Sequence, residues 1–196
     1  PWGEHHECCF CGTERFFRPA YAGHLLDEWI PAMSGVEEKL KMGAKVADIG
    51  CGLGTSSMLM AEQYPNSTIH AFDFHEPSIE EAKKRAKEKG LSNLEFFVSD
   101  AAAIPNESYD LACIFDAWHD MGDPVGIAKS IRETLADDGT FMVVEPMALD
   151  GLKNNIANPI IDKVKNIFGE QRCNEVVQNL KDLTPDMIKR FFENDN

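Results

Sequence analysis

Short apolar segments alternate with helical segments along the middle of the 196-residue chain, and this alternation restricts its fold more than any other feature. Helical signals separate the apolar segments. The clearest covers residues 77–89, where Pro77 opens a charged helix and Gly90 follows its end. Repeated strand–helix–strand units build parallel sheets with right-handed crossovers. The sequence therefore predicts an α/β fold whose sheet is mainly parallel and has five or more strands. The predicted strands are 45–49, 68–72, 94–98, 111–115 and 140–144.

The sequences on either side of this region predict an N-terminal and a C-terminal segment. Residues 1–42 are expected to form an N-terminal lid and helix, irregular over 1–18 and then with apolar residues at intervals of four. Residues 43–150 hold the strand–helix repeats. Residues 151–196 are expected to form a helical C-terminal segment, because their apolar residues follow a helical pattern. The helical positions are Tyr21, Leu25, Trp29 and Met33 in the first part, and Ile156, Ile160, Val164 and Phe168 in the last.

The charge balance limits the partners of the chain. Its formal net charge is -14, and phosphate contacts need Lys and Arg, so we expect no direct binding of nucleic acid. No apolar run approaches the roughly 18 residues of a membrane span, so no membrane partner is expected either. The first residue is Pro1 rather than Met, which leads us to expect a preceding segment. A homodimer is left open.

Six cysteines are spread too unevenly for a disulfide framework, so a reducing compartment, the cytoplasm, is predicted. Three of them are bunched in HHECCFC, residues 5–11, where thiols and imidazoles suggest zinc. These candidate ligands all fall in one short segment, which offers no tetrahedral set. The sequence therefore predicts no bound metal and a packed, reduced lid segment. The three cysteines are Cys8, Cys9 and Cys11.

An acidic residue marks the end of every predicted strand. The carboxyl ends of parallel strands share one edge of the sheet, where ligands bind in open α/β sheets, so we expect five carboxylates along that edge. Such an edge suits a ligand that carries hydroxyl groups and positive charge. Any single one of these residues could instead cap the helix that follows it. The five residues are Asp48, Asp73, Asp100, Asp116 and Glu145.

Three glycines follow the first predicted strand in DIGCGLGTSS, residues 48–57, and precede a helix. Glycine allows positive φ and lets the backbone approach a ligand closely, although a tight structural turn also explains such a loop. The spacing is D-x-G-x-G-x-G. A dinucleotide fingerprint would need glycine or alanine where Thr55 stands, which disfavours a nicotinamide-dependent oxidoreductase. Asp73 lies 19 residues beyond Gly54 and is well placed for a ribose diol.

Together these features resemble the class I S-adenosylmethionine-dependent methyltransferases over about residues 46–146. DIGCGLG resembles their first motif, FDFHEPSIEEAKKRA the second and VSDAAAIP the third, while YDLACIFDAWHDMGDP and LADDGTFMVVEP resemble their fourth and fifth strands. EHHECCFCGTERFFRPAYAGHLLDEWIPAM and HDMGDPVGIAKSIRETL resemble a narrower group of predicted small-molecule methyltransferases, which often carry an upstream winged-helix segment. The resemblance implies a Rossmann-like doubly wound sheet, S-adenosyl-L-methionine as cofactor and a small-molecule methyl acceptor.

The resemblance also implies which residues bind the cofactor. The glycine loop would line its methionine part, with Asp48 beneath, and the end of the fourth strand would lie near its amino group. Asp73 would accept both ribose hydroxyls, with Phe74 against the adenine. After the third strand, Asp100 and the Ala101 backbone would read the adenine edge. The implied residues are Asp48, Gly50, Gly52, Gly54, Asp73, Phe74, Asp100, Ala101, Phe115 and Asp116.

The segment WHDMGDP, residues 118–124, resembles the H-D-W-x-D segment of small-molecule O-methyltransferases. In those enzymes the histidine is the general base, and a glutamate at the end of the next strand orients it. This implies catalytic roles for His119 and for Glu145, which lies 26 residues later. Met121 stands where those enzymes carry tryptophan. The sequence thus predicts methylation of a small-molecule hydroxyl with His119 as base, or alternatively a regulatory or scaffolding module that binds the cofactor without catalysis.

Overall fold

A computed structural model describes residues 5–145 of the chain. The helices predicted for residues 151–196 lie outside the described residues. Helices and strands alternate through the described part. The helices are α1 (Glu7–Ala20), α2 (Val36–Met42), α3 (Thr55–Gln63), α4 (Glu76–Lys89) and α5 (Pro124–Thr134), and the strands are β1 (Lys45–Ile49), β2 (Thr68–Asp73), β3 (Leu94–Val98), β4 (Tyr109–Phe115) and β5 (Leu135–Val144).

The five strands form one parallel sheet in the order β3-β2-β1-β4-β5. The chain winds outward from β1 to β3 and then returns to the other side of β1 for β4, which creates the switch point where open α/β sheets bind ligands. Ile49 at the end of β1 pairs with Phe72 on one side and with Ile114 on the other. The predicted α/β doubly wound fold is confirmed. β5 begins at Leu135, earlier than predicted, with an irregular register against β4.

Both faces of the sheet are buried, and the side chains of β1 alternate between them. Val46 packs in one cluster with Met60, and Ile49 packs in the other with Ile131. Because helices cover both faces, the strand is a nearly continuous apolar run. Asp48 interrupts that run and points to α3, where its carboxylate accepts hydrogen bonds from two serines.

The expectation of an irregular N-terminal segment is wrong for the part that the structure describes. α1 runs from Glu7 to Ala20, and His6 caps it by accepting the N–H of Cys8 on Nδ1 at 3.2 Å. Proline inside a helix removes a hydrogen bond and usually breaks the helix. Here Pro19 lies in the last turn of α1, so the helix is complete before the proline intervenes.

The apolar residues that recur at intervals of four after Pro19 do lie in a helix, but this helix is a π-helix. Residues Tyr21–Trp29 are π-helical, and the N–H of Ile30 reaches back five residues to the carbonyl of Leu25 at 3.1 Å. A strict interval of four drifts around an α-helix of 3.6 residues per turn. The π-helix has more residues in each turn and keeps such a stripe closer to one face. Leu25 is fully buried there.

The predicted C-terminal end of the charged helix is confirmed, and the next helix begins at an aspartate cap. Gly90 ends α4 with a φ of 72°, and Asp123 begins α5 by accepting the N–H of Gly126 on Oδ1 at 2.9 Å. Within residues 5–145, every helix is too short or too polar to cross a membrane.

Candidate active site

The loop after β1 is held in a glycine-dependent conformation at the switch point. Gly50, Gly52 and Gly54 have φ values of 72°, 54° and 76°, which residues with a side chain rarely adopt. The N–H groups of Gly50 and Cys51 both donate to the carbonyl of Phe72, at 2.8 and 3.0 Å. The loop is therefore tied to the end of the neighbouring strand β2.

The three glycines differ in what a side chain would meet. A Cβ added at Gly54 would lie 2.7 Å from the ring of Phe96, and one at Gly50 would lie 2.8 Å from the Cβ of Ala117. A Cβ at Gly52 would find no atom of the described part of the chain within 4 Å. Packing therefore requires glycine at Gly50 and Gly54, whereas Gly52 borders open space that a ligand could fill. From the sequence, all three glycines were expected to line the cofactor.

Asp73, at the end of β2, fixes the same loop through its carboxylate. Oδ2 accepts the N–H of Gly52 and Oδ1 accepts the N–H of His75, each at 2.8 Å, and only 6% of the residue is exposed. A carboxylate has about four acceptor positions, so both oxygens can still accept hydroxyl donors. Asp73 therefore orders the loop and keeps acceptor positions for the ribose diol that the resemblance implied. This bond to the loop could not be read from the sequence.

Asp48 lies beneath the loop with one oxygen that lacks a partner. Oδ2 accepts the hydroxyls of Ser56 and Ser57 at 2.7 and 2.5 Å, while Oδ1 is buried with no hydrogen-bond partner among the described residues. Burial raises the pKa of Asp48 to about 6, against the lowering effect of the two serine hydroxyls. A buried oxygen in this state needs a donor, which a proton or a polar ligand group can supply.

The residues predicted to hold an adenine ring lie beside Asp73. Phe74 is 55% exposed, which is unusual for so large an apolar side chain and leaves a flat surface for a ring. Asp100 is exposed at the end of β3, and its Oδ1 accepts the N–H of Ala102 at 2.8 Å. It thereby caps the short 3₁₀ turn of Ala101–Ala103. These side chains and the glycine loop fit an adenosine with a charged tail.

The N-terminal helix α1 lies against this loop. The ring of Phe10 stacks on His75 with centroids 4.1 Å apart, and Glu14 accepts the hydroxyl of Thr55 at 2.7 Å. Sequence reasoning missed both residues. The signal was present, because Phe10, Glu14, Phe17 and Tyr21 follow the helical spacing of three and four residues.

The end of β4 forms the other side of the site. Phe115 is buried and its ring lies 5.6 Å from that of Tyr21 and 6.3 Å from that of Trp29. Asp116 follows with a φ of 52°, and its N–H donates to the carbonyl of Val144 at 2.8 Å. A positive φ at a residue with a side chain is unfavourable and recurs at functional sites. The turn after β4 is thus held in a strained shape next to the loop.

His119 lies in the one-turn 3₁₀ helix Trp118–Asp120 that follows. One ligand atom each of Asp116, His119 and Glu145 lies within 4.8 Å of the other two, so the structure brings the two predicted catalytic residues together and adds a third. Asp120 also lies near the imidazole, with its Oδ1 3.8 Å from Nε2, a separation beyond hydrogen-bond distance. An imidazole with two carboxylates is also a set that suits a divalent cation.

Comparison with known proteins places these features in a family. The family model described as the methyltransferase domain matches residues 40–195. The ubiquinone biosynthesis O-methyltransferase of Actinobacillus pleuropneumoniae serotype 5b (strain L20) is 33% identical over 105 residues, which is 50% of this chain and 44% of that protein. The dimethylglycine N-methyltransferase of Parasynechococcus marenigrum (strain WH8102) is 25% identical over 142 residues, 70% of this chain and 50% of that protein. The chain spans half or less of the length of these two relatives.

Solved structures share the fold. A putative sarcosine dimethylglycine methyltransferase from Galdieria sulphuraria has a TM-score of 0.57 at 23% identity and covers 71% of this chain and 52% of its own. Coclaurine N-methyltransferase bound to N-methylheliamine and SAH has a TM-score of 0.54 at 22% identity, over 61% of this chain and 34% of its own. At these identities the likeness concerns the fold alone.

The different surroundings of Gly52 and Gly54 predict different effects of the same substitution. Gly52→Ala should lower the free energy of unfolding by about 1–2 kcal/mol, because of the positive φ, and should weaken binding of S-adenosylhomocysteine. Gly54→Ala should lower the free energy of unfolding by about 2–4 kcal/mol, because overlap with Phe96 adds to the backbone strain. Urea unfolding and calorimetry on both variants measure this. Equal losses of stability, with unimpaired binding by Gly52→Ala, would contradict the assignment.

Asp48→Asn should change how stability depends on pH. Burial raises the pKa of Asp48 from 3.8 to about 6, so the folded chain binds this proton more tightly than the unfolded chain. The resulting stability is present at low pH and is lost as the pH rises through about 6. Between about pH 4.5 and pH 7.5, the free energy of unfolding of the wild type should therefore fall by about 2 kcal/mol relative to that of the variant.

Urea unfolding at a series of pH values measures that difference. Asp137→Asn, which changes an exposed aspartate of β5, is the matched control and should follow the wild-type curve. Parallel curves for the wild type and Asp48→Asn would show that the buried carboxyl does not carry this pH dependence.

Proposed function

We propose that this chain, which belongs to the methyltransferase-domain family of class I S-adenosylmethionine-dependent proteins, transfers a methyl group to a hydroxyl of a small molecule with His119 as general base. Family membership follows from the match over residues 40–195. The proposal for the base rests on one observation: Asp116, His119 and Glu145 present ligand atoms within 4.8 Å of one another. The turn that carries His119 also abuts the glycine loop, through Ala117 against Gly50.

The residues around the loop fit S-adenosylmethionine. This cofactor, when bound, supplies an electrophilic methyl group on a sulfonium. Gly52 would let the backbone approach it, Asp73 would accept its ribose hydroxyls and Phe74 would cover its adenine. Asp48 holds a buried oxygen that lacks a donor among the described residues. A sulfonium and an ammonium group both favour a site rich in carboxylates, in accord with the net charge of -14.

The chemistry expected of His119 is proton removal. A hydroxyl attacks a methyl group better as its proton leaves, and histidine accepts a proton near neutral pH more readily than other side chains. A carboxylate that accepts the other ring N–H fixes the tautomer and stabilises the imidazolium, as Asp does in hydrolase triads. Glu145 and Asp116 each place a carboxylate oxygen within 4.8 Å of a ring nitrogen of His119, and this proximity makes them the candidates for that role. Correct positioning of the acceptor contributes much of the rate of methyl transfer, because the reacting atoms must lie in line.

Calorimetry tests the cofactor. The chain should bind S-adenosylhomocysteine with one site per chain, and Asp73→Asn should weaken binding by about 1.5–3 kcal/mol, the loss expected for hydrogen bonds to a charged group. Phe74→Ala should also weaken binding but should leave stability almost unchanged, since the ring is mostly exposed. Equal affinity of the wild type for NAD and for S-adenosylhomocysteine would overturn the proposal.

Substitution of His119 tests the base. His119→Ala should lower kcat by about 10²–10⁴-fold and leave S-adenosylhomocysteine affinity unchanged, while Glu145→Gln should have a smaller effect. Asp120→Asn is the matched control and should retain wild-type kcat, because its carboxylate lies beyond hydrogen-bond distance of Nε2. The assay uses a panel of small-molecule hydroxyl compounds with and without EDTA.

Three outcomes of that assay would count against the proposal. An unchanged kcat in His119→Ala would show that His119 is not the general base. Activity that chelation abolishes and a divalent cation restores would assign the three side chains to metal binding. Cofactor binding without turnover of any acceptor would favour the regulatory or scaffolding module.

A further inference from the structure

We propose that Cys8 and Cys11 are a modification site, a dithiol that closes to a disulfide and thereby weakens cofactor binding. The inference rests on the proposed function for its effect on the cofactor, but not for the formation of the bond. Both residues lie in the first half of α1, and both are exposed. Cys9 between them is partly buried.

Helix geometry selects this pair among the three cysteines. Residues three apart face the same side of a helix, with Cβ atoms about 5–6 Å apart, whereas residues one or two apart do not face each other. A disulfide brings the two Cβ atoms to about 3.5–4.5 Å. Closing the bond between Cys8 and Cys11 must therefore pull the beginning of α1 together by about 1.5 Å.

The residue most affected by that closure is Phe10. It lies between the two cysteines, is only 8% exposed and stacks on His75 with ring centroids 4.1 Å apart. The N–H of His75 donates to Oδ1 of Asp73, and its Nδ1 lies 2.7 Å from the hydroxyl of Ser78. A shift of Phe10 thus acts on the segment that presents Asp73 and Phe74 to the cofactor.

The described cysteines outside α1 do not compete for an oxidant. Cys51 and Cys113 are buried, and burial raises the pKa of both thiols well above the ordinary value. The thiolate is the reactive form, so these two stay inert. Cys173 lies outside the described residues and is replaced by serine in the test protein.

The oxidant is a low-molecular-weight disulfide, for example oxidised glutathione. One cysteine thiolate attacks it and forms a mixed disulfide, releasing one glutathione thiolate. The second cysteine thiolate then attacks the protein sulfur of that mixed disulfide, forms the Cys8–Cys11 bond and releases the second glutathione. The protein dithiol loses two electrons and two protons, and the glutathione disulfide gains both to give two thiols.

The experiment compares three proteins on the Cys173→Ser background: the parent, Cys9→Ser and Cys11→Ser. Each is incubated with oxidised glutathione, alkylated with iodoacetamide and mapped by mass spectrometry. We expect a Cys8–Cys11 disulfide in the parent and in Cys9→Ser, and its absence from Cys11→Ser. Oxidation should weaken S-adenosylhomocysteine binding about three- to tenfold in the first two proteins, the equivalent of losing one aromatic pair. Dithiothreitol should restore it, and Cys11→Ser should be unaffected.

A second measurement tests whether the disulfide changes the segment after β2, and it does not depend on cofactor binding. Hydrogen–deuterium exchange of residues 73–78 should be faster in the oxidised parent than in the reduced parent. A reduced protein that does not bind S-adenosylhomocysteine would refute the proposed function, while the peptide map and the exchange rates would still decide this inference. Absence of the Cys8–Cys11 disulfide, or its formation with unchanged exchange, would overturn it.

Discussion

The carboxylate of Asp73 fixes the geometry on which the rest of the candidate site depends. It accepts the N–H of Gly52 on one oxygen and that of His75 on the other, so it joins the glycine loop to the end of β2. Two further bonds from the loop to the carbonyl of Phe72 reinforce this connection. With the loop fixed in this way, the space beside Gly52 keeps its shape before any ligand arrives, which lowers the entropic cost of binding.

Other elements of the site are positioned by their contacts with this loop. Ala117, in the turn that carries His119, meets the loop where Gly50 has no side chain, and α1 meets its far end through Glu14 and Thr55. α1 also contacts the segment that follows β2, through the stacking of Phe10 on His75. The turn with the proposed base, the proposed cofactor contacts and the N-terminal helix are therefore all in contact with the loop or with the strand end that holds it.

Sequence patterns predicted the fold well, because strand order in an α/β sheet follows from a repeated local unit. They predicted the carboxylates at the strand ends for the same reason. The grouping of Asp116 with His119 and Glu145 depends on strands β4 and β5 being neighbours and on a positive φ at Asp116, which no local pattern encodes. Likewise, α1 was missed although Phe10, Glu14 and Phe17 follow a helical spacing, and the difference between Gly52 and Gly54 arises from the distant ring of Phe96.

A crystal structure with bound S-adenosylhomocysteine tests the central claim most directly. We predict that the ribose hydroxyls donate to the Asp73 carboxylate, that the chain of the ligand crosses Gly52, and that its sulfur faces the turn that carries His119. A ligand whose ribose lies away from Asp73, or whose sulfur faces β3 rather than β4, would contradict this account of the site.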